Sequence, residues 1–415
     1  MMKEEIRAGI DDATRLEKMY RSNSAGFKQA FNEIYPELTD RQVAAYWYER
    51  LNYEGDGINW GTGRELVMII AASLFAGLVA KLPAFLHLEE DFFYPRNVGF
   101  VVFPVLSAYF AWKNKLPAGK VTAIAAVTLI AVLFINSLPD VKTSDTLILS
   151  CMHLLLLLWS VLGFAFVGEA GNNEEKRLAY LKYNGDLVVI TALILLAGGI
   201  MTGVTIGLFE LIGFHIEKFY FENVGVFGLA AAPIVGTYLT RANPQLVGKV
   251  SPVIAKIFSP LVLVMLVVYL IAIVYANKDP YNDRQFLIVF NALLIGVMAI
   301  IFFSVAESTK ATKSRMEAWV LLLLAFVTIV VNGVALSAIL FRISEGGITP
   351  NRAAVLGGNV LILVNLVLVT VKLFAVTSGK AGINVVGKII TFYLPVYVVW
   401  TVIVTFVFPF IFGFK

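Results

Sequence analysis

The stretch best suited to holding an anion or a polar headgroup runs Arg342-Ile343-Ser344-Glu345-Gly346-Gly347-Ile348-Thr349-Pro350-Asn351-Arg352. Arg342 and Glu345 stand three residues apart and can pair on a last helical turn. Gly346-Gly347 would end that helix, and Thr349-Pro350 would start the next. A helix break with two arginines and an acid offers an anion or headgroup contact. A stabilised helix–loop–helix corner would use the same residues. Two related strings, each expected as a loop just before a long apolar segment, add candidates. Residues 93–99 read Phe-Tyr-Pro-Arg-Asn-Val-Gly, and residues 219–225 read Phe-Tyr-Phe-Glu-Asn-Val-Gly. Arg96, Asn97, Glu222 and Asn223 join Arg342, Glu345, Thr349, Asn351 and Arg352 as candidate binding residues. In the structural alternative, the asparagines cap helices, the aromatics form an interfacial belt, and Gly99 and Gly225 allow close helix packing.

A second set lies inside apolar runs: His153, Asn291, Asn332 and Asn365. An intramembrane polar group is a functional candidate by default, although an asparagine can also join helices at ~0.6 kcal/mol. Lys81 sits near a helix end, where snorkelling accounts for it. Glu169 and Glu307 close two apolar segments, either as equivalents in a repeat or as solvated ends.

These residues need elements to hold them, and composition says which. The chain is 59% hydrophobic and 15% charged, with mean hydropathy +0.80. A soluble domain carries about 25% charged residues. The apolar residues come in runs of roughly 20, the length of a membrane-spanning helix. Runs such as Leu154 to Leu158 do not alternate, which excludes a transmembrane barrel. The single Cys151 excludes an internal disulfide or a cysteine metal cluster. Three scattered histidines lack ligand spacing, so no metal or cofactor is expected. A net charge of +4 fits membrane loops and not a nucleic-acid surface. No phosphate-binding loop, zinc helix or nucleophile elbow occurs. The polar first sixty residues argue against a cleaved signal peptide.

The expected fold is all-α: a polytopic helical membrane protein with about eleven spans behind a small N-terminal helical head. The head covers 1–62. Ile6, Ile10, Leu16 and Met19 form one helical stripe; Ser24 and Thr39 are candidate caps for two more helices. The transmembrane domain covers 63–415, with spans near 65–86, 97–112, 121–138, 146–168, 186–212, 224–240, 252–276, 284–306, 318–341, 353–371 and 387–412. With the head in the cytoplasm, inner loops hold fifteen Lys and Arg against eight outside, three in every inner loop. The positive-inside rule then places the N-terminus inside and the C-terminus outside.

Asn97 and Asn223 are 126 residues apart, and Asn351 follows 128 later. A proline and a tyrosine follow both strings: Pro104 and Tyr109, then Pro233 and Tyr238. Four helices between copies preserve orientation, so parallel repeats in a 4+4+3 arrangement are expected: about 65–168, 186–306 and a partial 318–412. The small residues Gly225, Gly228, Ala230, Ala231, Ala232 and Gly236 suggest a centrally packed sixth helix.

Tyr35-Pro36-Glu37, Glu49-Arg50-Leu51-Asn52-Tyr53, Tyr94-Pro95-Arg96-Asn97-Val98-Gly99 and Gly347-Ile348-Thr349-Pro350-Asn351-Arg352 together carry a resemblance. The chain is similar to a bacterial family of polytopic membrane proteins catalogued as a domain of unknown function and sometimes labelled permease. The similarity extends over essentially the whole membrane part. It implies a bacterial inner-membrane location and brings no activity, cofactor or catalytic residue.

Three functions fit. A permease for a neutral or amphipathic solute or lipid uses the repeats and prolines; scarce central acids argue against strong proton coupling. A non-transporting scaffold or regulatory subunit would use the head to dock a protein partner. An intramembrane enzyme acting on a lipid headgroup would use the 342–352 corner. The lipid bilayer is the one partner common to all.

Overall fold

The computed structural model describes residues 2–22, 24–38, 41–52, 63–141, 143–168, 173–211, 215–244, 259–260, 262–264, 266–268, 270–271, 284–308 and 315–415. The described residues are helical, with no strand among them. The chain divides into two compact units, Met1–Ile58 and Asn59–Lys415.

Among its described residues the first unit holds four helices, α1 (Met2–Ala8), α2 (Ala13–Ser22), α3 (Ser24–Ile34) and α4 (Gln42–Asn52), with a 3-10 turn at Tyr35–Glu37. The stripe expected as one helix is split in two. Asp12 Oδ1 accepts from the amides of Thr14 and Arg15 at 3.1 and 3.0 Å, so a side-chain cap begins α2 where a continuous helix would have run on. Thr39 lies outside the described residues, as does the Ser24 side chain. Ile6, Leu16, Phe27, Phe31, Ile34, Trp47 and Leu51 form the core. Tyr35 stacks on Tyr48 at 3.8 Å. Glu17 accepts a hydrogen bond from Arg21 Nε at 2.8 Å and forms an ion pair with Arg50 at 2.9 Å. The Arg21 hydrogen bond, aided by Arg50, holds the Glu17 carboxyl below the usual carboxylate range against the opposing effect of burial.

The second unit contains α5 (Gly63–Ala80), α6 (Leu82–Leu86), α7 (Glu90–Lys113), α8 (Ala118–Ser137), α9 (Asp145–Val167), α10 (Glu174–Leu211) and α11 (Glu217–Tyr220). A π turn, Phe221–Gly225, leads into α12 (Val226–Ala242). Then come α13 (Arg284–Ser308), α14 (Arg315–Gly346), α15 (Pro350–Thr377), α16 (Asn384–Val402) and, after a second π turn at Ile403–Val407, α17 (Phe408–Ile411). Among the described residues eight helical stretches are long and apolar enough to cross a membrane. They lie within or across α5, α8, α9, α10, α11–α12, α14, α15 and α16–α17. Three expected spans stand apart. Residues 252–276 lie mostly outside the described residues. The 97–112 span belongs to the longer α7, which carries Glu90, Asp91, Arg96 and Lys113. The 284–306 span contains a shorter apolar helix, Asn291–Glu307.

Large apolar side chains face outward along the middles of these helices: Leu129, Ile130 and Leu133 on α8, and Leu196, Ile200 and Met201 on α10. Such continuous apolar exposure is costly in water and favourable in hydrocarbon. It is consistent with a multi-pass membrane protein.

Among the described residues of this unit, two apolar cores are the largest. One joins α5, α7, α9, α10 and α12; α12, the helix rich in small residues, packs against α5, α7 and α10. The other joins α13 to α16.

Candidate functional site

The repeated strings are not loops. Phe93–Gly99 lies within α7, and Phe219–Gly225 runs from α11 through the π turn. Their asparagines therefore do not cap the next helix. Each instead donates its amide back one turn: Asn97 Nδ2 to the Phe93 carbonyl at 3.1 Å, and Asn223 Nδ2 to the Phe219 carbonyl at 2.8 Å. Asn97 also exchanges two hydrogen bonds with Asn136 on α8, both 2.9 Å. Asn223 Oδ1 instead accepts from Lys81 Nζ at 2.5 Å. Lys81 is thus tied to the second string, which snorkelling alone did not anticipate.

The residues ahead of the asparagines differ more. Arg96 is 2% exposed. It donates to Asp140 at 3.0 Å and to the Phe92 carbonyl at 3.2 Å, and lies 4.0 Å over the Phe92 ring. Glu222 is exposed and 3.8 Å from Lys218.

At the third candidate, Gly347 adopts φ +74° and ends α14. Thr349 Oγ1 accepts the Arg352 amide at 3.3 Å, a helix cap as expected. Arg352 folds back, donating to the Gly347 carbonyl at 2.7 Å. No Arg342–Glu345 ion pair forms among the described residues; Glu345 is exposed, and Asn351 is half-buried. Beside this corner Thr143, Asp145, Ile348, Thr349, Pro350 and Lys415 help line an open depression of about 710 Å³. The corner therefore meets the α8–α9 connection and the α17 end, and no hydrogen bond or ion pair among the described residues links it to Arg96 or Asn223.

The interior polar residues behave differently. His153 Nδ1 lies 2.9 Å from the Leu149 carbonyl one turn back. Asn291 is half-buried on α13. Asn332, at the middle of α14, is fully buried and donates to the Asn359 carbonyl on α15 at 3.2 Å. Asn365 donates to the Tyr397 hydroxyl on α16 at 3.0 Å. Three amide atoms in this core remain without a partner among the described residues: Asn332 Oδ1, Asn359 Nδ2 and Asn365 Oδ1. Asn359 is a further interior amide, inside the expected span 353–371, that the sequence reading did not name.

The opposite ends of the helices hold a network that sequence reasoning missed. Glu65 Oε1, at the start of α5, accepts from the Tyr109 hydroxyl at 2.8 Å and Lys113 Nζ at 2.6 Å. Tyr238 is buried on α12 and lies within electrostatic reach of the same carboxylate. Nearby, Glu307 is 8% exposed and takes Lys182 Nζ at 2.5 Å, so it is a buried partner and no solvated end. Glu169 lies outside the described residues. The sole signal for this network was the pair of tyrosines that follow the two strings.

No family model, no curated protein and no solved structure matches the chain.

Proposed function

We propose that the chain is a permease-like protein of the bacterial inner membrane that passes a small neutral, hydrogen-bonding solute. The observation that carries this reading is the set of unpartnered amide atoms on Asn332, Asn359 and Asn365. An unsatisfied buried amide costs about 1–3 kcal/mol, and hydrocarbon supplies no water to offset it. A passing hydroxyl or amide would meet both donors and acceptors there, and no fixed charge. Neutral amides favour neutral cargo because an ion would shed its hydration with nothing to replace it.

The proposed architecture keeps eleven spans in a 4+4+3 parallel arrangement, with the head in the cytoplasm and the C-terminus outside. Support comes from the shared back-bonding of Asn97 and Asn223 and from the approach of Tyr109 and Tyr238 to one carboxylate. The copies are not in perfect step: the tyrosines are 129 residues apart, against 126 for the asparagines. The head remains the proposed docking surface for a protein partner. Arg96, Asn97, Glu222, Asn223 and the 342–352 corner are retained as the proposed outer entrance.

Proteoliposomes carrying the full chain provide the test. Stopped-flow swelling with glycerol or urea should be faster than in protein-free vesicles, and Asn365→Leu should slow it without lowering the detergent melting temperature. Swelling equal to that of empty vesicles across a panel of neutral solutes would remove the permease reading and favour a scaffold.

A further inference from the structure

Arg241, in the last turn of α12, lies on two aromatic rings. Its guanidinium carbon is 5.3 Å from the Phe166 ring centre and 5.9 Å from that of Phe110. The rings are 4.9 Å apart, and both contact Tyr183, at 5.1 and 5.2 Å. The Tyr183 hydroxyl is 2.8 Å from Thr237 Oγ1, one turn before Arg241 on the same helix. The platform is thus locked across α7, α9, α10 and α12, and little side-chain freedom remains for an incoming ligand to remove.

Among the described residues, the charge on this platform is not used up internally. Glu65 is close enough to interact electrostatically with Arg241, but its Oε1 is already shared by Tyr109 and Lys113. Arg241 is exposed, and no described residue accepts a hydrogen bond from its guanidinium. Among the described residues two cations, Arg241 and Lys113, therefore face one carboxylate. A guanidinium held against aromatic rings keeps its N–H groups available, and their fork matches the spacing of two phosphate oxygens. A helix end in a membrane bundle also sits at headgroup depth.

We propose that Arg241, held on Phe110 and Phe166 beside Lys113, is a binding site for a phosphate oxyanion. The headgroup of an anionic phospholipid and free phosphate are its two possible sources. The site stands apart from the interior asparagines and does not depend on transport.

Native mass spectrometry of the full chain in detergent tests it, with phosphatidylglycerol, phosphatidylcholine or inorganic phosphate as probes. Phosphatidylglycerol should form more adducts than phosphatidylcholine, and Arg241→Gln should lower them about tenfold. Lys372→Gln, at an exposed residue toward the same ends of the helices, should change them less than about twofold. If phosphate competes, the oxyanion alone is recognised; if it does not, the lipid is the source, and either result supports the site. Equal adducts for Arg241→Gln and the parent chain, or an equal loss in Lys372→Gln, overturns it. Arg241→Lys keeps the charge and loses the fork. Should the glutamine variant fail to fold, this variant decides: a loss of about threefold supports the site and no loss overturns it.

Discussion

Phe93–Gly99 and Phe219–Gly225 share five of seven residues and serve two different environments. In the first, Arg96 and Asn97 are buried and bonded to α8. In the second, Glu222 is exposed and Asn223 half-buried against Lys81. The local chemistry is the same, since both asparagines bond back one turn. The neighbouring helix makes the difference, and with it the energetic weight of each string.

Mutation of matched positions should expose that asymmetry. Asn97→Ala removes two bonds to Asn136 inside the bundle and should lower stability by about 2 kcal/mol. Asn223→Ala leaves a lysine that can reach the interface and should cost about 0.5 kcal/mol. Detergent melting of the two variants checks the order; equal shifts would make the two environments equivalent after all.

The glycines should differ in sign. A Cβ on Gly99 would sit 2.8 and 2.9 Å from Leu155 and Leu158 on α9, whereas one on Gly225 meets only its own segment, at 3.5 Å and beyond. Gly99→Ala should therefore destabilise by about 1 kcal/mol. Gly225→Ala should be neutral or stabilise by up to about 0.5 kcal/mol, since alanine favours helix. The expectation that both glycines serve close helix packing holds for the first alone.

At the third candidate, Arg352 is folded onto its own loop. Arg352→Ala should cost about 1 kcal/mol in melting stability. If neutral-solute flux falls while melting is unchanged, Arg352 contacts cargo and the corner belongs to the pathway.

The head offers the smallest effect. Glu17 has a lowered folded-state pKa, so its contribution is present above the ordinary value of 4.5 and is lost as pH falls through the folded value. Glu17→Gln should flatten the acid limb of head stability followed by tryptophan fluorescence near Trp47; an unchanged acid limb would show that the pair with Arg21 adds nothing.

Much of this molecule was legible from residues alone. Apolar runs announced helices long enough for a bilayer, Thr349-Pro350 announced a helix start, and Gly346-Gly347 announced a stop. The head's core positions were mostly readable from their spacing. The readings that failed concerned context. Tyr94-Pro95-Arg96-Asn97 reads as a loop because proline and asparagine favour turns, yet α7 accommodates them by back-bonding and by the partner amide of Asn136. Glu307 reads as a solvated end until Lys182, 125 residues earlier, is seen to meet it.

The class of structure follows from residue order alone, because helix formation and apolar exposure depend on periodicity and composition within a single segment. Which polar groups are satisfied is set by how the helices pack. Hydrogen bonds between helices depend on which side chains from distant segments face one another, and no local pattern encodes that. Asn97 and Asn223 are the same residue in nearly the same string, and it took their neighbours to make one a buried clasp and the other a half-buried contact with Lys81.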